Sequence, residues 1–210
     1  MNIGDPGTVL YISHPQVTVD ATVAVPDWGL SDVGALRVAE LAQRFARLQL
    51  AGKAAVISSA ERKAVETAAP LAAALGAAVD QRRELHENDR TSTGYLPAAA
   101  FEAQADAFFA SPLQSVRGWE RAVDAQDRTL REICALEADH PDSALIVCGH
   151  GAVGTLLFCA LAGVEIDRRW DQPAGGGNWF AFDRCSRKPR DHWAPIETLF
   201  EGGAMGCENL

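Results

Sequence analysis

The sequence contains no long apolar segment. Its hydrophobic runs fall well short of the roughly 20 residues that cross a bilayer, so we expect no membrane-spanning helix and no membrane partner. The opening residues, MNIGDPGTVLYISH, lack the basic start and the apolar stretch of a secretory signal. These two absences predict a cytoplasmic protein.

Positive charge is also scarce. The chain has 19 Lys and Arg residues against 28 Asp and Glu residues, which gives a formal net charge of -9. A phosphate backbone is bound by clustered cations. We therefore expect no nucleic-acid partner.

Cysteine and histidine are too few and too scattered to build a site by local spacing. The five cysteines are an odd number without a Cys-x-x-Cys pair, and no histidine stands at ligand spacing from another histidine or a cysteine. Disulfide scaffolds and zinc sites depend on such spacing. We predict neither of them, and no cofactor.

The composition that is present is that of an ordinary globular chain. Its 210 residues are 48% hydrophobic and 22% charged, which fits a single domain. Short β-rich runs alternate with helical patterns, and this order predicts a three-layer α/β/α sandwich. We predict one domain over residues 1–210, with a small inserted helical lobe around residues 82–116.

The spacing of apolar residues predicts the individual elements. Continuous β-rich runs predict strands at residues 8–12, 54–57, 77–80, 143–148, 178–182 and 192–196. Apolar residues three or four positions apart predict helices at 31–50, 98–110 and 152–162, one from 116 to about 136, and one that ends near 75.

Two of these helices have recognisable starts. Ser31 is the predicted N-cap of the first helix. The core-facing residues predicted for this helix are Val33, Leu36, Leu41, Phe45 and Leu48. Ser58 and Glu61 have the S-x-x-E form of a capping box, which predicts the start of the second helix.

Polar chemistry is concentrated after three of the predicted strands. The loop after the first strand carries Ser13 and His14, the loop after the second begins with Ser58, and the loop after the fourth carries His150 between two glycines. Ligands of open α/β sheets bind beyond the carboxyl ends of such strands. We therefore predict that the His14 and His150 rings lie side by side, with centroids no more than about 8 Å apart.

Four motifs are similar, in order, to those of the histidine phosphatase superfamily, and the resemblance to its phosphoglycerate mutase-like branch covers nearly the whole chain. Residues 13–15, Ser-His-Pro, stand where the family has Arg-His-Gly. Residues 58–68, SSAERKAVETA, resemble the family's Ser-Ser-x-x-x-Arg-Ala-x-x-Thr-Ala. Residues 85–87 match its Leu-x-Glu, and residues 147–151 match its second-histidine turn.

The resemblance implies phosphoryl transfer in two steps. His14 would be the phosphorylated nucleophile, Glu87 the proton donor to the leaving alcohol, and His150 the partner that holds the phosphoryl oxygens. Lys63 stands at the second phosphate-binding arginine, and the Gly151 amide adds anion stabilisation at a helix start. The implied substrate is a small phosphorylated metabolite. A mutase is disfavoured because family mutases tend to be longer.

The departures from the family pattern fall on phosphate-binding side chains. Ser13 replaces the first arginine and removes a bidentate guanidinium, and a comparable donor is worth ~3 to 4 kcal/mol of barrier. Ser13 itself, Arg62 and Arg90 are candidate substrate-binding residues, the two arginines because they would compensate for the missing one. We predict a slow or specialised phosphatase. The alternative is a pseudoenzyme that binds a phosphate-bearing ligand or a protein partner.

A competing hypothesis comes from residues 149–154. Their sequence, Gly-His-Gly-Ala-Val-Gly, spells the G-x-G-x-x-G fingerprint of dinucleotide-binding domains. Only 56 of the 210 residues follow Gly154, too few for the remaining βαβ units of such a domain. We therefore disfavour dinucleotide binding.

Overall fold

The computed structural model describes residues 3–48 and 54–200, and six strands form one sheet there. The strands are β1 (Thr8–Ser13), β2 (Ala54–Ser59), β3 (Val79–Arg82), β4 (Ala144–Gly149), β5 (Asn178–Asp183) and β6 (Ala194–Pro195). Their order in the sheet is β3-β2-β4-β1-β5-β6. The first four are mutually parallel, and β5 runs antiparallel to both β1 and β6.

Helices cover both faces of this sheet. They are α1 (Asp32–Ala46), α2 (Arg62–Leu75), α3 (Ala98–Ala110), α4 (Ala122–Asp139) and α5 (Gly151–Ala162). Because side chains alternate along a strand, β1 gives Leu10 and Ile12 to a core shared with α1 and α2. The same strand gives Val9 and Tyr11 to the opposite core, which α4 and α5 complete. The predicted three-layer α/β/α fold is confirmed.

Helix α3 occupies the predicted range and packs against the α4–α5 side. Its Phe108 and Phe109 join Trp119 and Leu156 in a third apolar cluster. That residues 82–116 form a separate lobe stays a prediction. None of the helices in the described part of the chain is long and apolar enough to cross a membrane.

The start of α1 was predicted correctly, and so was the burial of Leu41 and Phe45, but two residues predicted to face the core do not. Ser31 caps the helix by accepting a hydrogen bond from the Gly34 amide at 3.2 Å. Val33 and Leu36, predicted to face the core, are 59% and 61% exposed. The buried stripe instead consists of Gly34, Val38, Leu41, Ala42 and Phe45. This stripe repeats every three to four residues, and it leaves Val33 and Leu36 on the solvent side.

The predicted capping box is wrong. Strand β2 continues through Ser58 and Ser59, which pair with β3, so the backbone enters α2 only at Arg62. The Ser58 hydroxyl donates to the Ser59 carbonyl and caps no helix. The Glu61 carboxylate is consequently free to turn towards the strand ends.

Several boundaries differ from the prediction, since α1 ends at Ala46 and not at 50, and β3 lies at Val79–Arg82 and not at 77–80. Helix α4 begins at Ala122 and not at 116, because Arg117 and Gly118 have φ of 52° and 80°, which interrupt a right-handed helix. The last strand shrinks to Ala194–Pro195, where proline lacks the amide needed for further pairing.

Candidate active site

The carboxyl ends of β2, β4 and β1 lie next to one another and bring the two histidines together. Ser13 pairs with Gly149 in the sheet, so the next residue of each strand leaves it at the same level. The rings of His14 and His150 are 5.3 Å apart between centroids and inclined by 72°. The prediction that they lie side by side is confirmed.

His14 is held in one tautomer. Its Nδ1 lies 2.8 Å from the Pro15 carbonyl oxygen, an acceptor that requires a proton on Nδ1. Burial lowers the pKa of His14 to about 4, although the Pro15 carbonyl acts in the opposite direction. At pH 7 the ring is therefore neutral, and the lone pair on Nε2 is available.

His150 is fully buried, and the tautomer of its ring can also be assigned. Its Nε2 lies 2.9 Å from the Ser59 hydroxyl oxygen. The Ser59 hydroxyl proton has no other acceptor among the described residues, so we assign it to His150 Nε2. This assignment puts the ring proton on Nδ1, which has no partner among the described residues. Burial holds the pKa of His150 well below its usual value.

The backbone of His150 is fixed by Tyr11 of β1. The Tyr11 hydroxyl donates to the His150 carbonyl at 3.1 Å and accepts from the His150 amide at 3.0 Å. A Cβ on Gly149 would lie 2.3 Å from the Tyr11 hydroxyl, and one on Gly154 would contact the Tyr11 and Trp193 rings below 3 Å. Gly149 and Gly154 thus admit aromatic side chains, and Gly151 admits the Gln172 side chain, which accounts for the three glycines without a dinucleotide.

Lys63 lies at the site, but its charge is already paired. Its Nζ forms an ion pair with Glu61 and donates to the Val25 carbonyl at 3.0 Å, and the side chain is almost fully buried. Burial by itself would raise the pKa of Glu61, but nearby His150 and Lys63 outweigh it and lower the pKa to about 2. Because His150 is neutral at pH 7, we attribute this lowering chiefly to the ammonium.

Glu87 is drawn into the same crevice. Its Oε1 accepts from the amides of Asn88 and of Val153 in α5, at 3.1 and 3.2 Å, and its own amide donates to Glu61 Oε1 at 2.9 Å. Burial raises the pKa of Glu87 above its ordinary value, despite the attraction of Arg90. The carboxyl group is therefore protonated at a higher pH than an exposed glutamate would be.

The two candidate arginines are placed differently. Arg62 projects into solvent, 64% exposed, and pairs with Glu66 at 2.7 Å. Arg90 lines a cavity of about 620 Å³ together with Glu61 and Glu87, and its guanidinium lies 4.9 Å from the Phe101 ring centroid. Arg90 is therefore the candidate arginine that the structure places at this site.

A second, smaller cavity of about 250 Å³ adjoins the first. It shares Val25, Arg90, Gly94 and Tyr95 with the larger cavity, and Trp28, Leu96 and Phe101 extend it. The Trp28 and Tyr95 rings are 5.9 Å apart. The site thus opens from carboxylates into an apolar and aromatic annex.

Ser13 and Gly151 lie on the side of the histidines towards α5. Ser13 is fully buried, and its hydroxyl donates to Gln172 Oε1 and accepts from the Asn178 amide at 3.0 Å. Gly151 is the first residue of α5, where the backbone amides have no acceptor within the helix.

Several residues of the site were missed at the level of sequence. Glu61 stood inside a motif that was interpreted as a helix cap, so its pattern was visible but misassigned. Ser59, Tyr11 and Gln172 carried no local signal, because each contacts residues more than 90 positions away. No group of three metal-ligating side chains occurs within residues 3–48 and 54–200.

Comparisons with known proteins agree with this geometry. The model of the histidine phosphatase superfamily (branch 1) matches residues 12–190. A mycobacterial glucosyl-3-phosphoglycerate phosphatase superposes with a TM-score of 0.71, at 22% identity over 90% of this chain and 98% of that one. YhfR of Bacillus stearothermophilus superposes at 0.69, with 23% identity over 83% and 89%.

A third solved structure extends the same pattern. The α-ribazole phosphatase of Shigella flexneri superposes with a TM-score of 0.66, at 17% identity over 87% of this chain and 93% of that one. At such identities the likeness shows the fold. No curated protein matches the sequence.

Proposed function

Because this chain belongs to branch 1 of the histidine phosphatase superfamily, we propose that it hydrolyses a small phosphomonoester through a phosphohistidine on His14. The observation that carries this proposal is the neutral His14 ring, whose Nδ1 is bound to a carbonyl and which lies 5.3 Å from His150. Nothing in the comparisons supports the pseudoenzyme alternative.

In the first step the His14 Nε2 lone pair attacks phosphorus, and the ester P–O bond breaks. Glu87 gives its proton to the departing alcohol oxygen, for which its raised pKa suits it. The phosphorylated ring becomes cationic, and the Pro15 carbonyl stabilises its Nδ1 proton. In the second step Glu87 takes a proton from water, the water oxygen attacks phosphorus, and the N–P bond breaks to release phosphate.

Uncharged donors would hold the phosphoryl oxygens. The unpaired Nδ1–H of His150 and the amides of Gly151 and Ala152 at the start of α5 offer hydrogen bonds without needing to move. Lys63 adds positive charge, but Glu61 already offsets it. This shortage of net positive charge supports a turnover slower than that of an arginine-equipped site.

The leaving alcohol would lie in the cavity beside Glu87. The aromatic annex next to it would accommodate an apolar group, so we expect a substrate whose alcohol carries one. Val19, Val23 and Tyr95, three of the exposed large hydrophobic side chains, line the two cavities, and such exposure at the rim of a site is typical of apolar ligand binding.

The test is hydrolysis of an aryl phosphate by the wild-type protein and by His14→Ala, with His140→Ala as the matched control. His140 is a partly exposed histidine near Asp80, outside the crevice. We expect His14→Ala to abolish turnover and the acid-labile, base-stable phosphoryl label on the quenched protein, while His140→Ala keeps both. Wild-type turnover in His14→Ala would refute the assignment of His14 as the nucleophile. Ligand binding without hydrolysis in the wild type would favour a binding module.

A further inference from the structure

Another side chain fills the space beside Ser13, the residue that replaces the family's first arginine. Ser13 points at the side chain of Gln172, and its hydroxyl donates to Gln172 Oε1 at 2.5 Å. Asn178 Nδ2 donates to the same oxygen at 3.1 Å. Asn178 Nδ2 also donates to the Pro173 carbonyl at 3.1 Å, which fixes it as a donor, and it thereby fixes the Gln172 carboxamide, because the flipped group would present N–H to N–H.

The other end of this carboxamide faces the start of α5. A Cβ on Gly151 would lie 2.1 Å from Gln172 Nε2, so the NH₂ group rests directly against the residue that follows His150. No hydrogen-bond acceptor for Nε2 is present among the residues that the structure describes. The neighbouring groups at the helix start are themselves donors, so they cannot satisfy it.

A second unpaired donor belongs to His150, the residue that precedes Gly151. His150 is fully buried, and its Nδ1 has no partner in the described part of the chain. Unpaired donors that converge on a helix N-terminus are the arrangement that binds an anion. A phosphoryl oxygen of a bound substrate is an acceptor of the kind that such donors bind.

We propose that the Gln172 carboxamide binds a phosphoryl oxygen of the substrate and occupies the space that an arginine side chain at position 13 would need. Compared with an arginine guanidinium, the carboxamide also offers directed N–H donors, but it carries no positive charge. Ser13 and Asn178 are positioning residues, because they act through Gln172. This inference rests on the proposed phosphatase function, since it assigns a group to the same reaction.

Two substitutions at Gln172 test its N–H donor. Gln172→Ala deletes the carboxamide. Gln172→Glu keeps its shape and the oxygen that Ser13 contacts, but replaces the donor by a negative oxygen. Gln126→Ala is the matched control, because its carboxamide also supports α5, by donating to the Leu156 carbonyl at 2.8 Å, but from α4.

The readouts are kcat and KM for an aryl phosphate, and the affinity for inorganic phosphate by calorimetry. Loss of one preorganised donor lowers kcat by about 10². We expect that loss in Gln172→Ala, a larger one in Gln172→Glu with weaker phosphate binding, and wild-type values in Gln126→Ala. Values for both Gln172 variants within about twofold of the wild type would overturn the inference.

The phosphatase proposal is tested separately by the wild-type protein. If it binds phosphate without hydrolysing any ester, that proposal fails, and the phosphate affinity of the Gln172 variants still decides the present one. If it neither hydrolyses nor binds phosphate, both proposals are refuted.

Crowding provides an independent check. With Gln172 in place, Ser13→Arg should lower kcat/KM, because the guanidinium and the carboxamide compete for one space. In the Gln172→Ala background the same Ser13→Arg change should raise kcat/KM above that of Gln172→Ala by about tenfold or more. An equal effect of Ser13→Arg in both backgrounds would show that the two side chains do not share a site.

Discussion

Replacing Glu61 by Gln should make the free protein less stable and its phosphate complex tighter. The carboxylate serves two donors, the Lys63 ammonium and the Glu87 amide, one with each oxygen. A glutamine has a single acceptor oxygen and no charge, so one donor is left unsatisfied. Removing one partner of a buried ion pair typically costs about 3–5 kcal/mol.

Phosphate binding should change in the opposite direction. Glu61 Oε1 lies 3.8 Å from His150 Nε2, on the far side of the ring from the free Nδ1. A phosphoryl oxygen bound at Nδ1 would thus be roughly 7 Å from the carboxylate, where two unit charges repel by about 2 kcal/mol at an effective dielectric constant near 20. Removing this repulsion tightens phosphate binding by about 30-fold.

Thermal unfolding with and without inorganic phosphate measures both effects. We expect Glu61→Gln to have the lower Tm without phosphate and the larger increase in Tm at the same saturating phosphate concentration, because a ligand that binds only the folded state stabilises it by an amount that grows with the logarithm of its affinity. Asp124→Asn is the control, because Asp124 forms an exposed pair with Arg121, and such pairs contribute little to stability. An unchanged phosphate affinity in Glu61→Gln would show that Glu61 does not oppose the anion.

Three further predictions concern the acid, the histidines and the annex. Glu87→Gln should reduce kcat/KM for an alkyl phosphate far more than for nitrophenyl phosphate, and should remove the decline of the alkyl rate as pH rises through the raised pKa of Glu87; equal losses on both substrates would exclude it as the proton donor. The free energy of unfolding should fall as pH drops below about 6.5, because His14 and His150 bind protons in the unfolded chain but resist them when folded; urea titrations with a constant free energy from pH 7.5 to 5 would contradict this. Tyr95→Ala should lower the ratio of kcat/KM for naphthyl phosphate to that for glycerol phosphate by about fivefold to tenfold, and an unchanged ratio would place the apolar group elsewhere.

The sequence predicted those parts of the site that lie at the ends of strands. His14 and His150 each follow a strand, and parallel neighbours deliver the residues after their carboxyl ends to one edge. Glu87 was predicted as the proton donor only from the Leu-x-Glu motif of residues 85–87. Nothing local showed that its carboxylate accepts from Val153, because that contact spans 66 residues.

The sequence by itself determined the α/β alternation, the Ser31 cap, the extent of α3 and the meeting of the two histidines. The first three depend on residues a few positions apart, where periodicity and backbone hydrogen bonding act directly. The two histidines meet because neighbouring parallel strands end at the same edge of the sheet. Tertiary structure alone decided that Val33 and Leu36 of α1 are exposed, how Glu61 is shared between Lys63 and Glu87, and that Gln172 fills the space beside Ser13. The last contact joins residues 159 positions apart. Its partners are chosen by the packing of β5 and α5 around β1, which no local pattern of residues records.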